Sequence, residues 1–133
     1  MPESKPVRFG IIGCGTASIP VCEAITSTPL TDLVGVYDVN EDLANDLGQR
    51  FNVPVVKTLD ELLEDPRVEA VYIAVPHYLL APLARKVLEA GKHALVEKPL
   101  ALSLEDVDCL IGLAQERRLR LGVFYEMRYA ATL

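Results

Sequence analysis

The sequence has no tryptophan, few aromatic residues of any kind (6%), two histidines and three cysteines, and it nowhere assembles a long apolar run. A membrane-spanning helix needs about 18 to 20 consecutive apolar residues, and no segment approaches that. The N-terminal MPESKP lacks the apolar core of a secretory signal, so a soluble, cytoplasmic protein is expected. Cys14, Cys22 and Cys109 offer neither C-x-x-C spacing nor an even count. That argues against a disulfide framework or a zinc site, and no metal is expected. Basic runs are missing too. The 13 Lys and Arg are interspersed among 19 Asp and Glu, for a net charge of -6, which argues against nucleic acid and membrane surfaces as partners. Any anion the protein binds has to be caught by a local device.

What the sequence does have is apolar residues, 50% of a 133-residue chain. That is enough to bury one sheet on both faces and too short for a second full domain. Residues 1–6 read as a disordered lead-in, with a single domain over 7–133. Val7 to Ile12, Leu33 to Tyr37, Val53 to Val56, Ala70 to Val75, His93 to Glu97 and Leu119 to Tyr125 are short apolar runs of strand type. Helical patterns separate most of them. One follows Ser18, carrying Ile19, Cys22 and Ile25, and another covers Leu43 to Phe51. A short one opens at Thr58 with a capping box to Glu61, and a longer one runs from Leu80 to Ala90. The last starts at Ser103 and places Leu104, Val107, Leu110, Ile111 and Ala114 on its inner face. Such alternation, with connections too long for hairpins, predicts an α/β doubly wound parallel sheet of six strands in the order 3-2-1-4-5-6. Its switch point falls between the first and fourth strands, where ligands bind in such sheets.

At the end of the first strand stands Gly13-Cys14-Gly15-Thr16-Ala17-Ser18. Gly13 permits a tight turn, Gly15 lets backbone approach a ligand, and the N–H groups of the following helix point at an anion. Ser18 takes the third place of a G-x-G-x-x-G fingerprint. A glycine pair after a strand is also an ordinary turn. Asp38 closes the second strand about 20 residues later, the interval at which dinucleotide folds place a ribose-binding acid. By itself Asp38 reads equally as a strand-end or helix-capping aspartate, because Asn40-Glu-Asp-Leu has the form of a helix start. Cys14 has no neighbouring base and reads as a small filler.

Three further stretches join the glycine loop: AVYIAVPHYLLAPLARKVLEAGKHALVEKPLA, the strand ending at Asp38, and YEMRY. From Val7 to Tyr129 the chain resembles the N-terminal Rossmann domain of the glucose-fructose oxidoreductase, inositol dehydrogenase and MocA family. The resemblance implies a dehydrogenase using NAD, or less readily NADP, on a sugar, polyol or related alcohol or carbonyl substrate. It also implies a C-terminal, mainly β-sheet domain, absent from this chain, that holds the small-molecule substrate and makes a homo-oligomer interface. By the same resemblance Gly13, Cys14, Gly15, Thr16, Ala17 and Ser18 hold the pyrophosphate, and Asp38 with Val39 the adenosine ribose. Val75, Pro76, His77 and Leu80 flank the middle of the cofactor. Glu97 lies near the nicotinamide ribose, Arg128 completes the cofactor set, and Lys98 is the catalytic residue facing nicotinamide and substrate.

Two positions depart from the family pattern. Where it commonly reads P-N-x-x-H after the fourth strand, this chain has His77 for the asparagine and Leu80 for the histidine. Glu126 replaces a neutral polar residue in YEMRY, and its charge could pair with Arg128. A non-catalytic dinucleotide-binding sensor or scaffold is the alternative these departures suggest. Glu97-Lys98-Pro99 favours the enzyme, since a sensor has no need of a lysine at the hydride position.

Overall fold

The computed structural model describes residues 5–124, so readings that rest on Tyr125, Glu126, Arg128 and Tyr129 lie outside the described residues. Strands β1 (Val7–Ile12), β2 (Thr31–Tyr37), β3 (Ala70–Ile73), β4 (His93–Glu97) and β5 (Leu121–Phe124) form one parallel sheet in the order β2-β1-β3-β4-β5. Helices α1 (Ser18–Thr26), α2 (Glu41–Phe51), α3 (Leu59–Glu64), α4 (His77–Glu89) and α5 (Leu104–Arg117) make the connections. Alternation along the strands sorts the core into two layers. Ile11 and Tyr72 join Val21, Cys22, Ile25 and Leu47 on the face of α1 and α2. Ile12, Val71 and Ile73 join Leu62, Leu80, Val87 and Leu110 on the face of α3, α4 and α5.

The expected six strands are five among the described residues. Val53 to Val56 reaches the predicted place beside β2 but makes only an isolated bridge, Val36 to Val55. Val36 N–H donates to the Pro54 carbonyl at 3.1 Å, and Val56 N–H to the Val36 carbonyl at 2.9 Å. The ladder stops there because Pro54 has no N–H to contribute and Lys57 already belongs to the cap of α3.

Helix starts follow the sequence closely where a side chain caps them. Asn40 accepts from Asp42 and Leu43, Thr58 from Glu61, and Ser103 from Asp106. Glu61 reaches back to Lys57 N–H at 3.4 Å, completing the box one residue early. Helix α4 starts at His77, three residues before the expected Leu80, because the Pro76 carbonyl accepts from Leu79 N–H at 2.9 Å and opens the first turn. On α5 the inner face is narrower than expected. Leu110 and Ala114 are buried and Val107 is half-buried, whereas Leu104 is 82% and Ile111 43% exposed. A stripe at 107, 110 and 114 is what one sheet face can cover, and 104 and 111 fall off its edges.

Leu62 shows how the third helix is seated. A Cβ added at Gly10 would come within 2.9 Å of Leu62 Cδ1, and one at Gly35 within 3.3 Å, so these two strand glycines leave the socket that Leu62 fills at 1% exposure. Leu62→Ala should therefore empty a closed site and lower the unfolding free energy by about 3 kcal/mol, with little change in the denaturant slope. Urea denaturation followed by circular dichroism measures it; a loss below about 1 kcal/mol would mean that α3 is not held through this socket.

Candidate functional site

The carboxyl ends of β1 and β3 lie side by side, and each runs straight into a turn. Ile12 pairs with Ile73, and Ala74 N–H donates to the Ile12 carbonyl at 2.9 Å, which sets Gly13 against Ala74. Gly13 has φ +99°, and a Cβ there would strike the Ala74 carbonyl. Only glycine satisfies both constraints. Gly13 N–H donates to the Tyr37 carbonyl at 2.9 Å, and the buried Ser18 hydroxyl donates to the Gly13 carbonyl at 2.5 Å, fastening the turn to β2 and α1. Small size at Ser18 thus comes with a bond that holds the loop.

Beyond that point the loop opens outward. A Cβ at Gly15 would meet nothing within 4 Å. Among the described residues, the N–H groups of Gly15, Thr16 and Ala17 have no acceptor, and they stand in succession at the N-terminus of α1. Helix α4 presents its own N-terminus at His77, beyond the turn that ends β3. Two helix ends with free donors, on either side of the β1/β3 switch point, fit an anionic group such as a pyrophosphate.

Asp38 is tied to this loop directly. Its Oδ2 accepts Cys14 N–H at 2.7 Å and its Oδ1 accepts Asn40 N–H at 2.8 Å. The carboxylate is fixed in place, and each oxygen keeps a second lone pair for a hydroxyl donor. Capping of α2 belongs to Asn40, which frees Asp38 from that role. Val39 beside it is 87% exposed.

Val75 is half-buried and Pro76 and His77 are exposed on the same rim. Leu80 is the exception. At 0% exposure it lies in the core with Ile12, Ile73 and Ala84, so this side chain has no surface to offer a cofactor. As the fourth residue of α4 it turns inward, and an apolar side chain at that place is drawn into the core. At the end of β4, Glu97 is half-buried and Lys98 exposed, before a cis Lys98-Pro99 bond.

Two features escaped the sequence. Tyr72, fully buried on β3, donates its hydroxyl to Glu97 Oε1 at 2.6 Å and stacks edge-on with Phe124 at 5.9 Å between ring centres. The register of β3 and β4 puts Tyr72 opposite Leu95, two residues from Glu97 on the same face, and that parity was the available signal. The Cys14 to Asp38 bond had none, because it runs from a backbone N–H that any residue carries. The Cys14 thiol packs in the core at 5% exposure. Burial first, and then the Asp38 charge, push its pKa up to about 12, and burial pushes Cys22 up to about 11.

A parallel sheet whose glycine turn, helix N-terminus and strand-end acid meet at the switch point defines a Rossmann-type nucleotide-binding domain. The profile of the GFO_IDH_MocA family, described as an oxidoreductase family with an NAD-binding Rossmann fold, matches residues 7–125, and the chain belongs to that family. The dTDP-3,4-didehydro-2,6-dideoxy-alpha-D-glucose 3-reductase of Saccharopolyspora spinosa is 36% identical over 122 residues, 91% of this chain and 37% of the relative. Among solved structures, GenD2 from gentamicin A biosynthesis in complex with NAD superposes with a TM-score of 0.92 at 34% identity, covering 98% of this chain and 38% of GenD2. KijD10, a 3-ketoreductase from Actinomadura kijaniata in complex with NADP and TDP-benzene, gives 0.89 at 32% identity, covering 94% and 39%. The chain therefore spans little more than a third of the proteins it matches.

The thiols give this geometry a direct check. With a pKa about 12, only about one Cys14 in ten thousand is thiolate at pH 8, and the group is enclosed, so iodoacetamide should label the exposed Cys109 in the native protein and leave Cys14 and Cys22 untouched. Peptide mass mapping reads the result. Rapid labelling of Cys14 would mean that the glycine loop opens in solution.

Proposed function

We propose that this chain is the cofactor-binding part of an NAD-dependent dehydrogenase that oxidises an alcohol carbon of a sugar or polyol, or reduces the corresponding carbonyl. A C-terminal domain outside this chain holds the substrate and makes the oligomer contacts. The observation that carries the reading is the bond from Cys14 N–H to the Asp38 carboxylate at 2.7 Å, since it fastens the acid suited to a ribose diol to the loop suited to a pyrophosphate. Gly13 to Ser18 hold the phosphates through the free N–H groups of Gly15, Thr16 and Ala17. Asp38 accepts from the adenosine ribose hydroxyls and Val39 lies against the adenine side. Val75, Pro76 and His77 border the middle of the dinucleotide, and Glu97 and Arg128 serve its nicotinamide end.

When bound, NAD supplies the acceptor or donor of hydride. Lys98 does the chain's own part of the chemistry: its ammonium faces the substrate oxygen, stabilises the charge that develops there and exchanges a proton with it. A sensor that merely bound the dinucleotide would have no use for that cation. The relatives' names support the substrate class, since a dTDP-sugar 3-reductase and a UDP-N-acetylglucosamine 3-dehydrogenase both act on sugar carbons.

Cofactor choice follows from Asp38. A 2'-phosphate would meet its carboxylate, and Val39 and Asn40 bring no cation to offset the repulsion. Calorimetric titration of the 133-residue chain should show NAD binding roughly 10- to 100-fold tighter than NADP, a difference of about 1 to 3 kcal/mol that shrinks in Asp38→Ala. Equal affinities in the unaltered chain would remove Asp38 from the ribose site. In the protein with its substrate domain, Lys98→Met should leave NAD affinity within a few-fold and lower kcat by about 10²-fold or more. Normal turnover by that variant would reduce Lys98 to a strand-end lysine.

A further inference from the structure

Tyr72 is fully buried on β3, yet its hydroxyl ends on a carboxylate at the rim of the crevice. In the sheet register Tyr72 lies beside Leu95, and Glu97 beside Phe124. Strands β3 and β5 are two spacings apart, about 9.5 Å. The rings of Tyr72 and Phe124, with centres 5.9 Å apart and planes at 81°, therefore meet over β4, on the face from which Glu97 projects. A phenol packed in this way has one position, whereas a glutamate at a strand end has several rotamers to choose from. The bond to Glu97 Oε1, short at 2.6 Å and charge-assisted, passes the fixity of the ring to the carboxylate. Oε2 is the oxygen left to accept from a ligand. Its side of the crevice is that of the glycine loop, because Glu97 and Ala17, which precedes the first residue of α1, line one groove.

We infer that Tyr72 is a positioning residue for the nicotinamide half of the cofactor: its hydroxyl fixes Glu97 so that Oε2 meets a hydroxyl of the nicotinamide ribose. Tyr72 touches no ligand itself and acts through Glu97. The inference rests on the dinucleotide reading of the crevice given above, and it adds a residue from the interior to the determinants of that site. A buried tyrosine hydroxyl needs an acceptor in any case. Deleting one that is merely satisfied lowers stability and leaves ligands alone, whereas deleting one that holds Glu97 weakens only those ligands that reach Glu97.

Tyr72→Phe deletes the hydroxyl and keeps the ring. In the 133-residue chain, calorimetric titration should show NAD affinity lowered by about 3- to 10-fold and ADP affinity within about twofold, since ADP carries the adenosine and a diphosphate but no nicotinamide ribose. Glu97→Ala should lower NAD affinity at least as much. The double variant should lose no more than Glu97→Ala alone, the mark of two residues acting as one unit. Carbon-13 NMR of the Glu97 side chain, read with no cofactor present, should pass from one rotamer in the unaltered chain to averaged rotamers in Tyr72→Phe. Phe124→Leu, which loosens the ring and leaves the hydroxyl, should move both readouts the same way by less, and it decides the matter if Tyr72→Phe does not fold. A lower Tm with NAD and ADP affinities both unchanged, or both lowered alike, overturns the inference. So do additive losses in the double variant, or a Glu97 rotamer that stays single. An unaltered chain that binds ADP as tightly as NAD removes the contact at Glu97 and leaves the adenosine site standing. One that binds neither overturns the cofactor reading itself, and the inference with it.

Discussion

Backbone presses on backbone where β1 and β3 end, and the glycine loop and the two helix ends beside it are placed by that contact. With the Ala74 carbonyl lying where a Cβ of Gly13 would be, the two turns are as close as main chains can come. Closeness there aims α1 and α4 at the same crevice from opposite faces of the sheet. It also carries the loop within reach of β2, so that Tyr37 and Asp38 can hold it from the side. A larger residue at position 13 would separate the strands at the point where the helix ends have to converge.

Much of this was legible because it depends on local rules. The glycines, the caps at Asn40, Thr58 and Ser103 and the apolar strand runs each announce themselves within a few residues. What was hidden depends on partners distant in sequence. Val53 to Val56 has strand composition, yet whether it pairs depends on Pro54 facing β2 without a donor. Leu80 sits where the family has a polar residue, but only the packing of α4 on the sheet shows that it points into the core. Leu104 and Ile111 have helical spacing with Val107, and the width of the sheet face left them outside. In the candidate site, residue types pointed to the glycine loop and Asp38, which the structure brings together, and to Lys98, which it leaves exposed at the end of β4, whereas the bond between loop and acid belongs to an anonymous main-chain N–H.

Asp38 carries two duties with one carboxylate. It braces the loop through Cys14 and the turn through Asn40, and it faces outward with what acceptor capacity remains. Removing this carboxylate therefore also releases a strut of the glycine loop. On the proposed reading, cofactor preference and loop rigidity are coupled through Asp38, and a change to one that spares the other has to supply a new acceptor for Cys14 N–H.

Tyr72 extends the same coupling into the interior. Its ring lies fully buried beside Phe124 while its hydroxyl holds Glu97 at the strand end, one residue before Lys98. A side chain in the core is thus also a peg of the surface. Substitutions drifting through Leu95 or Phe124 over generations would tilt that ring and with it the carboxylate, even though neither residue carries any chemistry. The interior under β4 and β5 and the charge at the strand end are inherited together, which narrows the routes by which descendants of this chain can reshape the rim around Glu97.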